Sequence, residues 1–158
     1  MKTERAPRLE GHLNLVLRGL RLRALNGPNG LIRMGGWARQ KYGRTVGNYV
    51  RAALNTIGDR TLLRVQDAPK RMRVTVVHKG IFDEDNLRST PKFLLDHLKP
   101  RPIRVERRVL GMEPGLIADD DPAHLSHEVA QERGAPEVRL EVWGEGMDQV
   151  FGGRVVTI

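Results

Sequence analysis

The chain has no cysteine, which excludes disulfide scaffolds, thiolate zinc centres and cysteine nucleophiles and leaves carboxylates, histidines and lysines to carry any chemistry. Aromatic residues are scarce at 4%, so a core has to be assembled from Leu, Val and Ile. No run of about 18 consecutive apolar residues occurs, and the N-terminal stretch MKTERAPRLEGHLN lacks the uninterrupted apolar segment of a signal peptide. These absences lead to the expectation of a soluble protein without a membrane partner, held in a reducing, cytoplasmic compartment. What remains is 158 residues, 39% of them apolar, enough for a single domain spanning 1–158.

Charge is the first positive signal. The chain carries 27 Lys+Arg against 19 Asp+Glu, a formal charge of +8, and its pI is about 10.6. Clustered Lys and Arg release counterions when they neutralise phosphates, so nucleic acid is the leading partner class. The excess is uneven: residues 1–110 hold 24 basic and 9 acidic residues, whereas residues 111–158 hold 3 and 10. An enzyme acting on a phosphodiester needs both, cations for the substrate backbone and carboxylates for a metal ion. A dipolar surface of solvated charge gives the same arithmetic.

Hydrophobic periodicity predicts an α+β fold, a small mixed sheet packed with two main helices. Leu13 to Leu17 and Leu20 to Leu25 alternate as half-buried strands, followed by a loop across 26–36 marked by Asn26-Gly27-Pro28-Asn29-Gly30 and Gly35-Gly36. From Trp37 to Ile57 the set Tyr42, Val46, Tyr49, Val50, Ala53, Leu54 and Ile57 recurs every three or four residues, an amphipathic helix with Gly58 behind it. Arg71 to Val77 alternates cleanly, with Met72, Val74 and Val76 on one face and Arg71, Arg73 and Thr75 on the other. The chain is expected to stay extended from there through Asp83-Glu84-Asp85-Asn86. A second helix then begins near Thr90 as N-cap and Pro91 in its first turn, and ends at Lys99-Pro100. Arg101 to Met112 is Arg-rich and reads as an extended excursion. Leu125 to Gln131 and Glu137 to Trp143 read as strands joined in a hairpin through Gly134-Ala135-Pro136, with an edge strand at Val155, Val156 and Ile158.

Asp83-x-Asp85 is the most informative local feature. In extended chain, residues two apart point the same way with Cα atoms about 6.5–7 Å apart, so two carboxylates can share a cation. Mg²⁺ takes hard oxygen ligands and is commonly held by one or two carboxylates together with substrate phosphates. The run Asp119-Asp120-Asp121, which follows the apolar Gly115-Leu116-Ile117-Ala118, can supply a third ligand. Each acidic cluster taken alone also reads as a solvated turn.

Taken in order, Asp83-Glu84-Asp85-Asn86, Lys92-Phe93-Leu94-Leu95-Asp96-His97-Leu98 and Gly115-Leu116-Ile117-Ala118-Asp119-Asp120 resemble the D-x-D-N, K-x-L-L-D-x-L and G-x-I-x-D-D blocks of the RusA-like Holliday-junction resolvases. The resemblance covers roughly residues 71–143. It implies a small mixed α/β homodimer in a bacterial or phage-infected cell, an endonuclease that needs Mg²⁺ or Mn²⁺ and cuts four-way DNA junctions symmetrically in recombination and repair. It further implies that Asp83, Asp85 and Asp120 are the metal-binding and catalytic carboxylates and Lys92 the essential basic residue. The chain departs from the family pattern in two places. The lysine usually stands four residues after the second Asp, where this chain has Ser89, so Lys92 matches only across an insertion of Ser89-Thr90-Pro91; and a basic stretch from Lys99 to Pro114 replaces a short connection. The run of three aspartates also leaves Asp119 or Asp121 as alternatives to Asp120.

Other constellations carry less. Lys41, Arg44 and Arg51 on the polar side of the first helix, with Arg71 and Arg73 on the outward side of the strand, are candidate DNA contacts and equally ordinary solvated cations. Lys92 and Asp96 are also spaced for a helical ion pair. His124 and His127 with Asp121 have partial zinc spacing without a fourth ligand. Trp37, Tyr42 and Tyr49 can stack on bases, although Tyr49 fits the buried stripe. No G-x-G-x-x-G or P-loop occurs, so no nucleotide cofactor is expected. A nonenzymatic basic nucleic-acid-binding protein and a nuclease for another branched DNA remain as alternative readings.

Overall fold

The computed structural model describes residues 8–27 and 30–158. Along the chain run β1 (Leu13–Arg18), α1 (Gly36–Ile57), α2 (Asp59–Val65), β2 (Lys70–His78), α3 (Glu84–Ser89), α4 (Lys92–Leu98), β3 (Arg101–Val105), β4 (Arg108–Glu113), β5 (Leu125–Arg133), β6 (Glu137–Gly144), α5 (Met147–Phe151) and β7 (Arg154–Thr157). The fold is mixed α+β, as the periodicity predicts. No described helix is long and apolar enough to cross a membrane.

Period-two alternation builds the middle of the main sheet, whose strand order is β5-β2-β6-β1-β7. Its registers place Met72 beside Val142 and Val74 beside Leu140, and Leu15 beside the same Leu140. The apolar positions of three strands therefore form continuous rows on one face. These side chains are buried, and Val46, Val50, Ala53 and Ile57 of α1, Leu94, Leu95 and Leu98 of α4, and Leu116 and Ile117 join them in one core. The opposite face is a charge ladder. Arg73 lies directly between Glu128 of β5 and Glu141 of β6 in register, and it bonds to Glu128 at 2.8 Å with Glu141 at 3.6 Å.

Several sequence expectations are corrected. Leu20 to Leu25 does alternate, with Leu20, Leu22 and Ala24 buried, but it is not a strand. Its backbone makes no ladder: the Arg23 N–H donates to the Tyr42 hydroxyl at 2.9 Å and the Leu25 N–H to Ser89 Oγ at 3.0 Å, while the Ala24 and Leu25 carbonyls accept from the Leu31 and Ile32 N–H groups of the following turn. Within the loop expected across 26–36, Leu31–Arg33 forms a 3-10 turn, while Pro28 and Asn29 lie outside the described residues. Beyond β2 the chain does not stay extended through Asn86, because Asp83 caps a helix that begins at Glu84. Thr90 is then the last turn of α3, its hydroxyl donating to the Leu87 carbonyl, and Pro91 precedes α4.

The expected hairpin between β5 and β6 is also absent. β2 lies between them, parallel to β5 and antiparallel to β6, so residues 134–136 cross the end of β2 rather than turn between neighbours. Both strands carry the right alternation, but alternation specifies a buried face and not a neighbour. The Arg-rich excursion is a two-stranded hairpin of β3 and β4, and the tail does add the edge strand β7, parallel to β1. α2 and α5 carry no expectation from the sequence.

Candidate functional site

β1 and β2 both pair antiparallel with β6, so they point the same way and leave the sheet at one end. The segments that follow them wall a cleft of about 610 Å³ lined by Arg21, Arg23, His78, Lys79, Asp83 and Asn86, among others. One carboxylate among three fixed cations makes this a place for a polyanion.

The second wall is held by Gln131 of β5. Its side-chain amide accepts from the Phe82 N–H at 3.0 Å and donates to the Phe82 carbonyl at 2.9 Å. His78 Nε2 lies 3.1 Å from the same amide oxygen, and the His78 ring stacks on Phe82 with centroids 4.5 Å apart. Asp83 follows at once. Its Oδ1 accepts from the Asn86 N–H at 2.8 Å and its Oδ2 from the Asn86 side-chain amide at 3.0 Å, a helix N-cap that satisfies one otherwise orphaned donor. Asp85 is exposed in the first turn of α3, where the helix dipole favours negative charge. Asp83 and Asp85 are thus neighbours as cap and first-turn residue, not as alternate residues of an extended strand.

Asp120 belongs to a different setting. Lys99, which ends α4, places its Nζ 3.1 Å from Asp120, 3.2 Å from Asp96 and 3.7 Å from Asp119. The Lys99 hydrogen bond holds the Asp120 carboxyl below the usual carboxylate range, and Asp120 in turn raises the Lys99 ammonium. Asp96 therefore pairs with Lys99 and not with Lys92, which stands exposed at the start of α4. Asp121 accepts from the His124 N–H at 3.1 Å and lies 2.6 Å from its Nδ1, and this contact lowers its carboxyl. It caps the turn into β5 while His127 sits exposed on the strand.

The two acidic settings lie toward opposite ends of β5. The Leu125 N–H bonds to the Asp121 carbonyl, whereas Phe82 docks on Gln131, and six residues of strand span about 20 Å. Among the described residues, no group of three or more histidines, aspartates and glutamates could hold a metal ion. Asp83, Asp85 and Asp120 do not form such a group within one chain, nor do Asp121, His124 and His127.

The expected DNA contacts divide in the same way. Lys41 and Arg44 are both exposed on α1, with Lys41 Nζ 5.4 Å from the ring centre of the exposed Trp37. Arg51 is taken by Glu113 at 2.5 Å, and Arg73 by its two glutamates. Arg71 lies over the Trp143 ring at 4.3 Å. Tyr42 is buried, which pushes its hydroxyl upward in pKa, and Tyr49 donates to the Arg18 carbonyl at 2.7 Å, so both are structural.

Sequence reasoning misses Arg21, Arg23, Lys79 and Gln131. Arg21 and Arg23 are the outward positions of an alternating segment, and Lys79 follows a strand directly, so a signal for these three exists. Gln131 carries none, since its role depends on a loop 49 residues earlier in the chain. Compared with known protein families, with curated proteins and with solved structures, the chain matches none.

Proposed function

We propose that the chain is a metal-dependent endodeoxyribonuclease of branched DNA, resolving four-way junctions as the RusA-like family does. The observation that carries this reading is the cleft beyond β2, where Arg21, Arg23 and Lys79 line the same space as Asp83 and Asn86. Cations for phosphate oxygens stand there beside hard oxygen donors. Asp83, Asp85 and the Asn86 amide oxygen suit Mg²⁺ or Mn²⁺ of the kind held by one or two carboxylates plus substrate phosphates. Such an ion, when bound, neutralises charge on the attacked phosphate and acidifies a water.

The chain's own residues supply the rest. Arg21, Arg23 and Lys79 grip the DNA backbone, and Gln131 and the helix cap keep Asp83 in the wall of the cleft. Lys92 is the cation that the resemblance assigns to charge stabilisation. Matched cuts require a two-fold homodimer. β5 is an edge strand, and pairing two copies through it antiparallel would carry Asp120 of the partner subunit, which precedes Leu125, toward Gln131 and Asp83.

End-labelled four-way junctions test the reading. They are expected to be nicked in matched strands with Mg²⁺ and left whole in EDTA, and Asp85→Asn is expected to bind them while cutting at least about 100-fold more slowly. Equal cutting of linear duplex defeats the junction assignment. Binding without hydrolysis under Mg²⁺ and Mn²⁺ returns the chain to the nonenzymatic nucleic-acid binders.

A further inference from the structure

β3 and β4 pair with each other and with no third strand among the described residues, and every residue from Arg101 to Leu110 is exposed. Ile103, Val105, Val109, Leu110 and Met112 are between 42% and 66% exposed. That is half of the large apolar side chains exposed among the described residues, gathered on one hairpin. A soluble chain rarely leaves so much apolar surface in one place without an occupant.

The same hairpin carries Arg101, Arg104, Arg107 and Arg108, and none of these four side chains makes a hydrogen bond, ion pair or ring contact with a described residue. Other arginines do: Arg51, Arg73, Arg88 and Arg139 are all paired with glutamates. Of the acids on the hairpin, Glu113 at its base is consumed by Arg51 of α1, which ties the arm to the body and leaves Glu106 at the tip. The register sets Arg104 beside Val109 and Val105 beside Arg108, with a bulge at Ile103/Arg104. Guanidinium and apolar groups thus share both faces of the ribbon.

That mixture decides the occupant. A face meant for a protein core would be apolar throughout, and burying either face here would strand unpaired guanidinium groups at high desolvation cost. Packing against the same arm of a second copy would bring eight arginines together. A polyanion satisfies every one of them. We propose that the β3–β4 hairpin is a DNA-binding ribbon that lies in the major groove of B-form duplex, its arginines on the phosphate walls and its apolar side chains against base and sugar edges. The major groove, about 12 Å wide, admits a two-stranded ribbon, whereas the major groove of A-form RNA is too narrow for side chains to read. This inference rests on the reading of the chain as a DNA-acting protein but not on its cutting DNA.

Binding of the full chain to a short labelled B-form duplex, followed in EDTA from about 50 to 200 mM salt, tests the arm apart from cleavage. Arg104→Ala/Arg107→Ala/Arg108→Ala is expected to flatten the slope of log K against log salt by about 3, since each lost phosphate contact removes about 0.9. It should also weaken binding at low salt by at least about 10-fold. Val109→Ser/Leu110→Ser is expected to weaken binding with the slope unchanged. All five positions are exposed, and circular dichroism verifies that the variants fold. The proposal is overturned if the triple variant keeps wild-type slope and affinity, if the intact chain does not bind duplex, or if the variants bind DNA normally and only lose self-association in sedimentation. Junction cleavage by an enzyme whose arm variants bind normally sinks the arm alone. Arm-dependent binding with no cleavage under any divalent metal sinks the nuclease alone.

Discussion

Lys99 Nζ lies 3.1 Å from Asp120 Oδ1, and this contact joins the end of α4 to the loop that feeds β5. Lys99 also reaches Asp96 and Asp119, so one ammonium gathers three carboxylates. Within one chain Asp120 belongs to this latch and not to the cleft.

The latch has a pH signature. Because the Lys99 hydrogen bond depresses the folded Asp120 carboxyl, Asp120 contributes stability above its unfolded pKa of about 3.9. That contribution is lost as pH falls through the lower folded value. Lys99→Met should let Asp120 titrate nearer the ordinary carboxylate range and move acid unfolding to higher pH. Carboxyl carbon shifts followed by NMR would show this, and an unmoved Asp120 titration would rule the latch out.

Gln131 should act at a distance. Gln131→Ala deletes both hydrogen bonds to the Phe82 backbone, and the expected loss of stability is about 1–3 kcal/mol, readable as a lower urea midpoint. If Gln131 positions Asp83, junction cleavage falls by more than the unfolded fraction accounts for, with duplex binding in EDTA retained. A fall in stability with cleavage intact in the folded fraction would leave Gln131 a purely structural residue.

Glycines divide by what surrounds them. A Cβ on Gly115 would lie 2.3 Å from the Leu98 carbonyl oxygen and 2.6 Å from Pro100 N, backbone that cannot step aside, so Gly115→Ala should destabilise by about 3 kcal/mol or more. The nearest atoms to a Cβ on Gly47 belong to the His97 ring, the first at 2.7 Å, and a ring can turn, so Gly47→Ala should do less harm. Gly36→Ala meets nothing within 4 Å and should be neutral or stabilising by up to about 1 kcal/mol. Denaturant midpoints for the three variants check the order, and an inverted order would contradict the packing around Leu98.

Much of the fold is legible in the residue pattern alone. α1 follows its stripe from Trp37 to Ile57, and β2 and β6 follow their alternation, because helix and strand periods record which side of each segment is buried; β1, expected to be half-buried, is buried on both faces from Leu13 to Leu17. The same logic misreads Leu20 to Leu25, whose alternation is real but whose backbone bonds to the Tyr42 and Ser89 side chains and to the turn at Leu31 and Ile32 rather than to a neighbouring strand. It also carries the chain extended through Asp83, although Asp followed three residues later by Asn86 offers a cap that ends extension. Of the candidate site, Asp83 and Asp85 are legible as neighbours, while Arg21 and Arg23, which share the cleft with Asp83, are not, because they come from a segment some sixty residues earlier in the chain.

The sequence by itself determined α1, β2 and β6 with their buried faces, the absence of thiol chemistry and the separation of basic from acidic stretches, since all of these are properties of a residue and its near neighbours. Only the tertiary structure decided that β2 separates β5 from β6, that Arg21 and Arg23 share a cleft with Asp83, and that Asp120 answers to Lys99. Strand neighbours and ion pairs are chosen by hydrogen bonding and packing among groups tens of residues apart. No local pattern encodes which of several suitable partners will be the one that buries the most apolar surface while leaving no polar group unmet.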